Sequence, residues 1–229
     1  MLTLGIDDAG RGPLIGPMVL AGILLKKRDA DLLKKAGVKD SKLLTQKKRL
    51  ELQGKILKKA IAHKVILIHP PEIDKSIASG VNLNTLDAIK IAEIINHINA
   101  DDIREQQIEI IVDCPSPNIK AWGQVLLSHI KSRENIVLKC EHKADFNHPV
   151  VSAASVLAKL AREEAVTAIK KEFGEMGSGY LTDPITQKFL KEKSLELENA
   201  GIFRKSWITW KNHLAEKEQK KLDKYESNI

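Results

Sequence analysis

Apolar positions along the chain change their period several times, and each change predicts an element. Residues 2–7 alternate as a strand does, Gly10, Arg11, Gly12 and Pro13 interrupt, and residues 14–25 resume an apolar run. The pattern predicts two strands around a tight turn. Helical spacing over residues 45–60 sets Leu50, Ile56 and Leu57 apart from Lys47, Lys48, Lys55 and Lys58. Residues 64–69 read as a short β-branched strand stopped by Pro70 and Pro71. Residues 82–99 return to a helix, with Ile91, Ile94, Ile95 and Ile98 on one face. Strands follow over 108–113 and 135–140, separated by a helix over 118–130. A long helix from Pro149 to about Phe173 starts with the proline that suits a first turn. Beyond it come a glycine-rich loop over 174–184, a helix over 185–200, a turn at Gly201 and a charge-dense helix to the end. Strands cluster early and helices late, which predicts an α/β domain over 1–180 with a helical C-terminal appendage over 181–229.

Composition narrows the class of molecule. Of 229 residues, 37 are Lys or Arg and 30 are Asp or Glu, for a formal net charge of +7. With 43% hydrophobic residues the chain has enough apolar side chains for a sizeable core, which excludes a disordered tail or a fibre. No apolar run is long enough to span a membrane, and no basic-then-apolar leader opens the chain, so the expected place is the cytoplasm. Two cysteines, Cys114 and Cys140, build no disulfide framework. With His142 they make only three candidate zinc ligands at irregular spacing, and buried thiols are the expected reading. The positive balance favours a polyanionic partner such as nucleic acid.

The sharpest feature is Gly5-Ile6-Asp7-Asp8-Ala9-Gly10-Arg11-Gly12-Pro13, an apolar strand that runs into two carboxylates and then into glycines. Alternation sends Asp7 and Asp8 to opposite sides of a sheet unless the chain turns or bulges there. Asp113 ends the strand over 108–113, and Asp145 lies just beyond the strand over 135–140. Acids at the ends of neighbouring strands can converge at one sheet edge, where repulsion is relieved by hard cations such as Mg²⁺ or Mn²⁺. A strand-end aspartate also commonly closes a turn. The glycines do not read as a phosphate loop: the last glycine of Gly10 to Gly16 comes one residue too late for a dinucleotide fingerprint, and two acids directly ahead would repel a pyrophosphate.

Asp7-Asp8-Ala9-Gly10-Arg11-Gly12-Pro13, followed by Ile15-Gly16-Pro17, resembles the D-E-A-G-R-G-P signature of type 2 ribonucleases H (ribonuclease HII). Further pieces follow in that family's order: Asp40-Ser41-Lys42-Leu43-Leu44-Thr45, Val112-Asp113, Glu141-His142-Lys143-Ala144-Asp145, the stretch from Val151 to Lys159, the stretch from Gly177 to Pro184, and Arg204-Lys205-Ser206-Trp207. The C-terminal pieces look more like the archaeal and eukaryotic branch than the bacterial one. The resemblance implies a ribonuclease H-like mixed β-sheet flanked by helices. It implies an endoribonuclease that cuts the RNA strand of RNA–DNA hybrids and nicks 5′ of a single ribonucleotide in duplex DNA, leaving 3′-hydroxyl and 5′-phosphate ends.

By that resemblance Asp7, Asp8, Asp113 and Asp145 are the catalytic and metal-binding acids, holding two Mg²⁺ or Mn²⁺ ions during catalysis. Gly10, Arg11, Gly12 and Tyr180 match the readers of the ribose-to-deoxyribose junction. One position departs: residue 8 is Asp where the family has Glu. That substitution motivates the alternative of a catalytically weak hybrid-binding module; a phosphatase acting on small phosphoesters ranks last, since no D-x-D nucleophile motif is present. Ser152, Ser155, Lys159 and Arg162 are spaced as one polar helix face, with Ala154, Leu157 and Ala161 opposite. Ser152 and Ser155 are read as substrate contacts, Arg162 as a solvated residue, and Lys42 and Lys143 as further phosphate ligands. Trp207 and Trp210 are expected to pack C-terminal helices, and Glu216 and Lys220 to pair along a solvated tail helix. The partners expected are RNA–DNA hybrid and ribonucleotide-containing duplex DNA, bound by a monomer. No glutamine followed by paired aromatics, the usual sliding-clamp signal, stands near the C-terminus.

Overall fold

In the computed structural model, which describes residues 1–38 and 44–226, strand β1 (Leu2–Ala9) continues through both aspartates in unbroken register. Lys42 and its neighbours Asp40 and Ser41 lie outside the described residues. After β1 come β2 (Met18–Lys26), α1 (Lys27–Lys35), α2 (Gln46–Lys59), β3 (Ala62–Ile68), α3 (Pro70–Ala78) and α4 (Leu83–Ile98). The chain continues with α5 (Asp101–Arg104), β4 (Ile108–Asp113), α6 (Ile119–His129), β5 (Ile136–Glu141) and α7 (Ala144–Asn147). It ends with α8 (Pro149–Phe173), α9 (Pro184–Lys193) and α10 (Ile208–Glu226). The sheet order is β3-β2-β1-β4-β5, with β1 antiparallel to β2 and parallel to β4, and β4 parallel to β5. This is the mixed, helix-flanked sheet that the sequence led us to expect.

The described residues form two compact units. The first, Met1–Arg11, Met18–Leu67 and Asn82–Glu164, contains the sheet and its flanking helices. Alternation along β1 separates its two faces. Gly5 faces the start of α8, and a Cβ there would come 2.4 Å from the Val150 carbonyl carbon, so the helix rests directly on the strand. Val151, Ala154 and Leu157 of α8 join Ala9, Val19, Ala21, Ile23, Leu25 and Ile111 in one core cluster. On the opposite face Gly22 admits Ile94 of α4, with Ile6 and Ile98 beside it. Burial of such side chains stabilises the unit by about 1.5–3 kcal/mol each.

The second unit, Gly12–Pro17, Ile68–Val81 and Ala165–Ile229, has its own core of Leu14, Ile15, Met176, Phe189, Ile202, Phe203 and Trp210. Leu14 donates its N–H to the Gly179 carbonyl at 2.9 Å, and Ile15 bridges to Phe203. Gly179 sits at φ +82° with Ile15 O only 2.6 Å from where a Cβ would stand, a position closed to any side chain. Fully buried Arg204 donates to Gly16 O from Nε and Nη2, at 3.1 and 3.0 Å, and stacks over Trp207 at 5.1 Å. Trp210 packs against Phe203 at 4.7 Å between ring centres, so both tryptophans serve packing as expected.

Four sequence expectations need correction. The second strand starts at Met18, not at residue 14, because Leu14 and Ile15 bond instead to Gly179 and Phe203. The helix read over 185–200 ends at Lys193. In α2 the buried residues are Leu52 and Ile56, while Leu50 is exposed. Pro70 and Pro71 do not merely stop β3; they open α3, since proline fits a first helical turn.

Candidate active site

The carboxylates sit where the parallel strands β1 and β4 and their neighbour β5 end. Regular pairing of Asp7 with Ala21 and of Asp8 with Leu20 means no bulge intervenes, so the two acids take opposite faces of β1. Asp7 lies on the α8 face and is 5% exposed. Burial pushes its pKa well above the ordinary carboxylate value, and the charges of Asp8 and Asp113 push the same way. A hydrogen bond from the Ser155 hydroxyl and one from the Asp8 amide hold the anion in part. None of these principal influences is a cation. Carboxylate oxygens near enough to feel one another's charge are donors of the kind hard divalent ions take, so in donor chemistry the residues present fit the metals that the sequence implied.

Asp113 pairs with Glu141 across the end of the sheet. Its Oδ1 accepts from the Ala144 amide at 2.8 Å, which fastens the first turn of α7 to β4. Cys114 N–H donates to Glu141 O at 2.8 Å, and the His142 ring Nδ1 lies 3.0 Å from Cys114 O. These contacts hold the chain at Lys143, which adopts φ 57° and ψ 36°. No other non-glycine residue among those described has positive φ. That left-handed residue, costly without surrounding support, turns β5 into α7 and carries Asp145 into a buried position, 4% exposed. Among the described residues no three of His, Cys, Asp or Glu close on a single metal-binding point.

Arg11, just past β1, reaches the first two turns of α4. Its guanidinium pairs with Asp87 through Nη1 and with Asn84 Oδ1 through Nη2. Burial lowers its pKa, against the opposing pull of Asp8. Asn84 in turn accepts the Trp122 indole N–H on its backbone oxygen at 2.8 Å. Sequence reasoning missed both anchors. The signal was there for Asp87, because it falls on the same helical stripe as Ile91, Ile94, Ile95 and Ile98, where an acid has no packing role.

Gly10 takes φ 74°, a left-handed turn that leads the chain out of β1. In the second unit the bare face of Gly12 looks at the Tyr180 ring, with Cε1 3.6 Å from a built Cβ, and Tyr180 is 37% exposed. The expected polar face of α8 is corrected: Ser152 and Ser155 are 1% and 0% exposed, buried in the first unit rather than open. Ser155 bonds Asp7, which accounts for its burial. Cys114 is buried, and desolvation pushes the Cys140 thiol up to about 12, so neither is a reactive thiolate.

The chain is similar to known proteins in sequence and in fold. The family described as Ribonuclease HII matches residues 4–210. A ribonuclease HII of Methanococcus maripaludis (strain C5) is 40% identical over 224 residues, covering 96% of this chain and 90% of that protein. The Methanocaldococcus jannaschii ribonuclease HII is also 40% identical, covering 97% and 99%. Among solved structures, the ribonuclease H2 of Pyrococcus horikoshii OT3 superposes with a TM-score of 0.81 at 33% identity, over 93% of this chain and 97% of that one. The ribonuclease HII of Archaeoglobus fulgidus, solved as a PCNA:RNase HII complex, gives 0.78 at 34% identity, over 90% and 95%.

Proposed function

We propose, from the premise that this chain belongs to the ribonuclease HII family of divalent-metal-dependent type 2 ribonucleases H, that it nicks duplex DNA 5′ of single ribonucleotides as well as cutting RNA–DNA hybrids. The products are a 3′-hydroxyl and a 5′-phosphate. The observation that carries the reading is the placement of Asp7: a carboxylate 5% exposed near the end of β1, which runs parallel to β4 with Asp113 at its end.

Asp7, Asp8, Asp113 and Asp145 would hold Mg²⁺ or Mn²⁺. Two such ions, when bound, lower the pKa of a water and stabilise the charge on the leaving oxygen. The chain's own residues supply the rest. Ser155 and the Asp8 amide orient Asp7. The Ala144 amide fixes one Asp113 oxygen at the end of β4. The open backbone of Gly10 and Gly12 accepts a sugar closely and reads its 2′-hydroxyl, the group that separates RNA from DNA. Tyr180, next to Gly12, stacks on the neighbouring deoxyribose, where a second hydroxyl would not fit. Arg11, Lys143 and Lys42 are proposed contacts to the sugar-phosphate chain. The working molecule is a cytoplasmic monomer in this reading. Likeness to the A. fulgidus protein supports a sliding-clamp partner. No described helix is long and apolar enough to cross a membrane.

The test is a duplex with one ribonucleotide, incubated with Mg²⁺ or Mn²⁺. A single nick on the 5′ side is expected. Asp113→Asn should lower the rate about 10²–10³-fold, the scale of losing transition-state charge stabilisation, with duplex binding retained because an amide oxygen still accepts from Ala144. Absence of a nick with both ions, or an Asp113→Asn variant near the parent rate, overturns the reading.

A further inference from the structure

Asp87 is a carboxylate 1% exposed on the apolar stripe of α4, where an apolar residue of similar size would serve stability as well or better. Its partner Arg11 is different in kind, since a quarter of that side chain reaches solvent. The pair therefore joins a fully buried acid to a partly buried cation whose side chain still reaches solvent, beside the end of β1. The geometry points to Asp87 and Asn84 as positioning residues that fix the Arg11 guanidinium for recognition of the ribonucleotide junction. This inference rests on the proposed junction-reading role of Arg11.

Three features support it. Asp87 and Asn84 take different ends of the guanidinium, Nη1 and Nη2, which fixes the plane of the group as well as its place. A free arginine samples many rotamers, and ordering it before substrate arrives removes that cost from binding. The platform is itself held. Asn82 caps α4 by accepting the Thr85 amide at 3.0 Å, and Trp122 of α6 donates to the Asn84 carbonyl at 2.8 Å. Arg11 also feels the charge of Asp8, so it lies within electrostatic reach of the carboxylate edge where cleavage is proposed.

The experiment compares kcat/KM on a one-ribonucleotide duplex with kcat/KM on an all-RNA strand paired to DNA. It uses the full chain and the variants Arg11→Ala, Arg11→Lys, Asp87→Asn, Asn84→Ala and Arg11→Ala/Asp87→Asn. Asp87→Asn is expected to lower the preference for the single ribonucleotide about tenfold, mainly through KM, in keeping with the cost of a misplaced positioning group. Arg11→Lys, which keeps the charge and loses the fork, should match it, and Asn84→Ala should give a smaller loss in the same direction. The double variant should be no worse than Arg11→Ala alone, because Asp87 acts only through Arg11. Losses that multiply, or that fall equally on both substrates in step with thermal stability, overturn the inference. If Arg11→Ala changes the preference and neither Asp87→Asn nor Asn84→Ala does, the bracket alone is wrong. If Arg11→Ala leaves the preference unchanged, the junction role of Arg11 falls, and the bracket with it. Should Asp87→Asn fail to fold by circular dichroism, Asn84→Ala decides, since it leaves the buried charge pair intact.

Discussion

Asp8 is half-buried on the face of β1 opposite Asp7, and its side chain is one methylene shorter than the glutamate of the family signature. With β1 in unbroken register, no bulge at this residue carries the carboxylate forward. Asp8→Glu should extend it by roughly 1.5 Å. If Asp8 is a metal ligand, the variant should reach half-maximal nicking at about tenfold lower Mg²⁺, the scale on which changes around a metal shell act. A Mg²⁺ titration that does not move removes Asp8 from the metal set. At this scale the acids were readable because a charge at the end of an apolar strand has no packing purpose. Asp87 carried the same kind of signal, an acid on an apolar helical stripe, but its partner Arg11 lies far away in the chain and could not be read from spacing. Lys143 was read as a phosphate ligand; its left-handed backbone, which aims Asp145, has no signature in a lysine.

Elements with a clean period were legible, and those set by local capping were not. The isoleucines of α4 announced it, and all four are buried. Helix α1 escaped notice because its first residues are charged and only Ala30 and Leu33 are buried. Helix α7 is four residues long, too short for any period to show. In the second unit the loop before α9 hangs on Asp183, whose Oδ2 accepts from the Ser178 amide at 2.7 Å and Oδ1 from the Ile185 amide at 2.9 Å. The Ser178 bonds, then the Ile185 amide, hold its pKa below the ordinary 3.8. A depressed pKa means the ionised form is favoured by folding. Its contribution is present above pH 3.8 and fades as pH falls through the lower folded value. Thermal unfolding of the parent and of Asp183→Asn should therefore differ most above pH 3.8 and converge in acid. A gap that stays constant down to the lowest pH would show that the Asp183 charge is irrelevant to the cap.

On the scale of the whole molecule, the net charge of +7 predicts that grip on duplex is largely ionic. With cleavage blocked by Asp113→Asn, duplex affinity should fall at least about 100-fold between about 50 and 200 mM salt, as expected when about four phosphates are neutralised. A flat salt response would assign the affinity to stacking and sugar contacts instead. The amino-acid sequence alone determined the class of fold, the strands that end in acids and the chemistry those acids suit, because periodicity and residue type act locally and survive in a linear reading. Only the tertiary structure decided which polar groups are buried and by what. Ser155 of α8 is buried to hold Asp7, and Leu14 left the strand for Gly179. Arg11 found Asp87 seventy-six positions away. Such pairings are set by which faces meet when the core closes, and spacing along the chain carries no record of that.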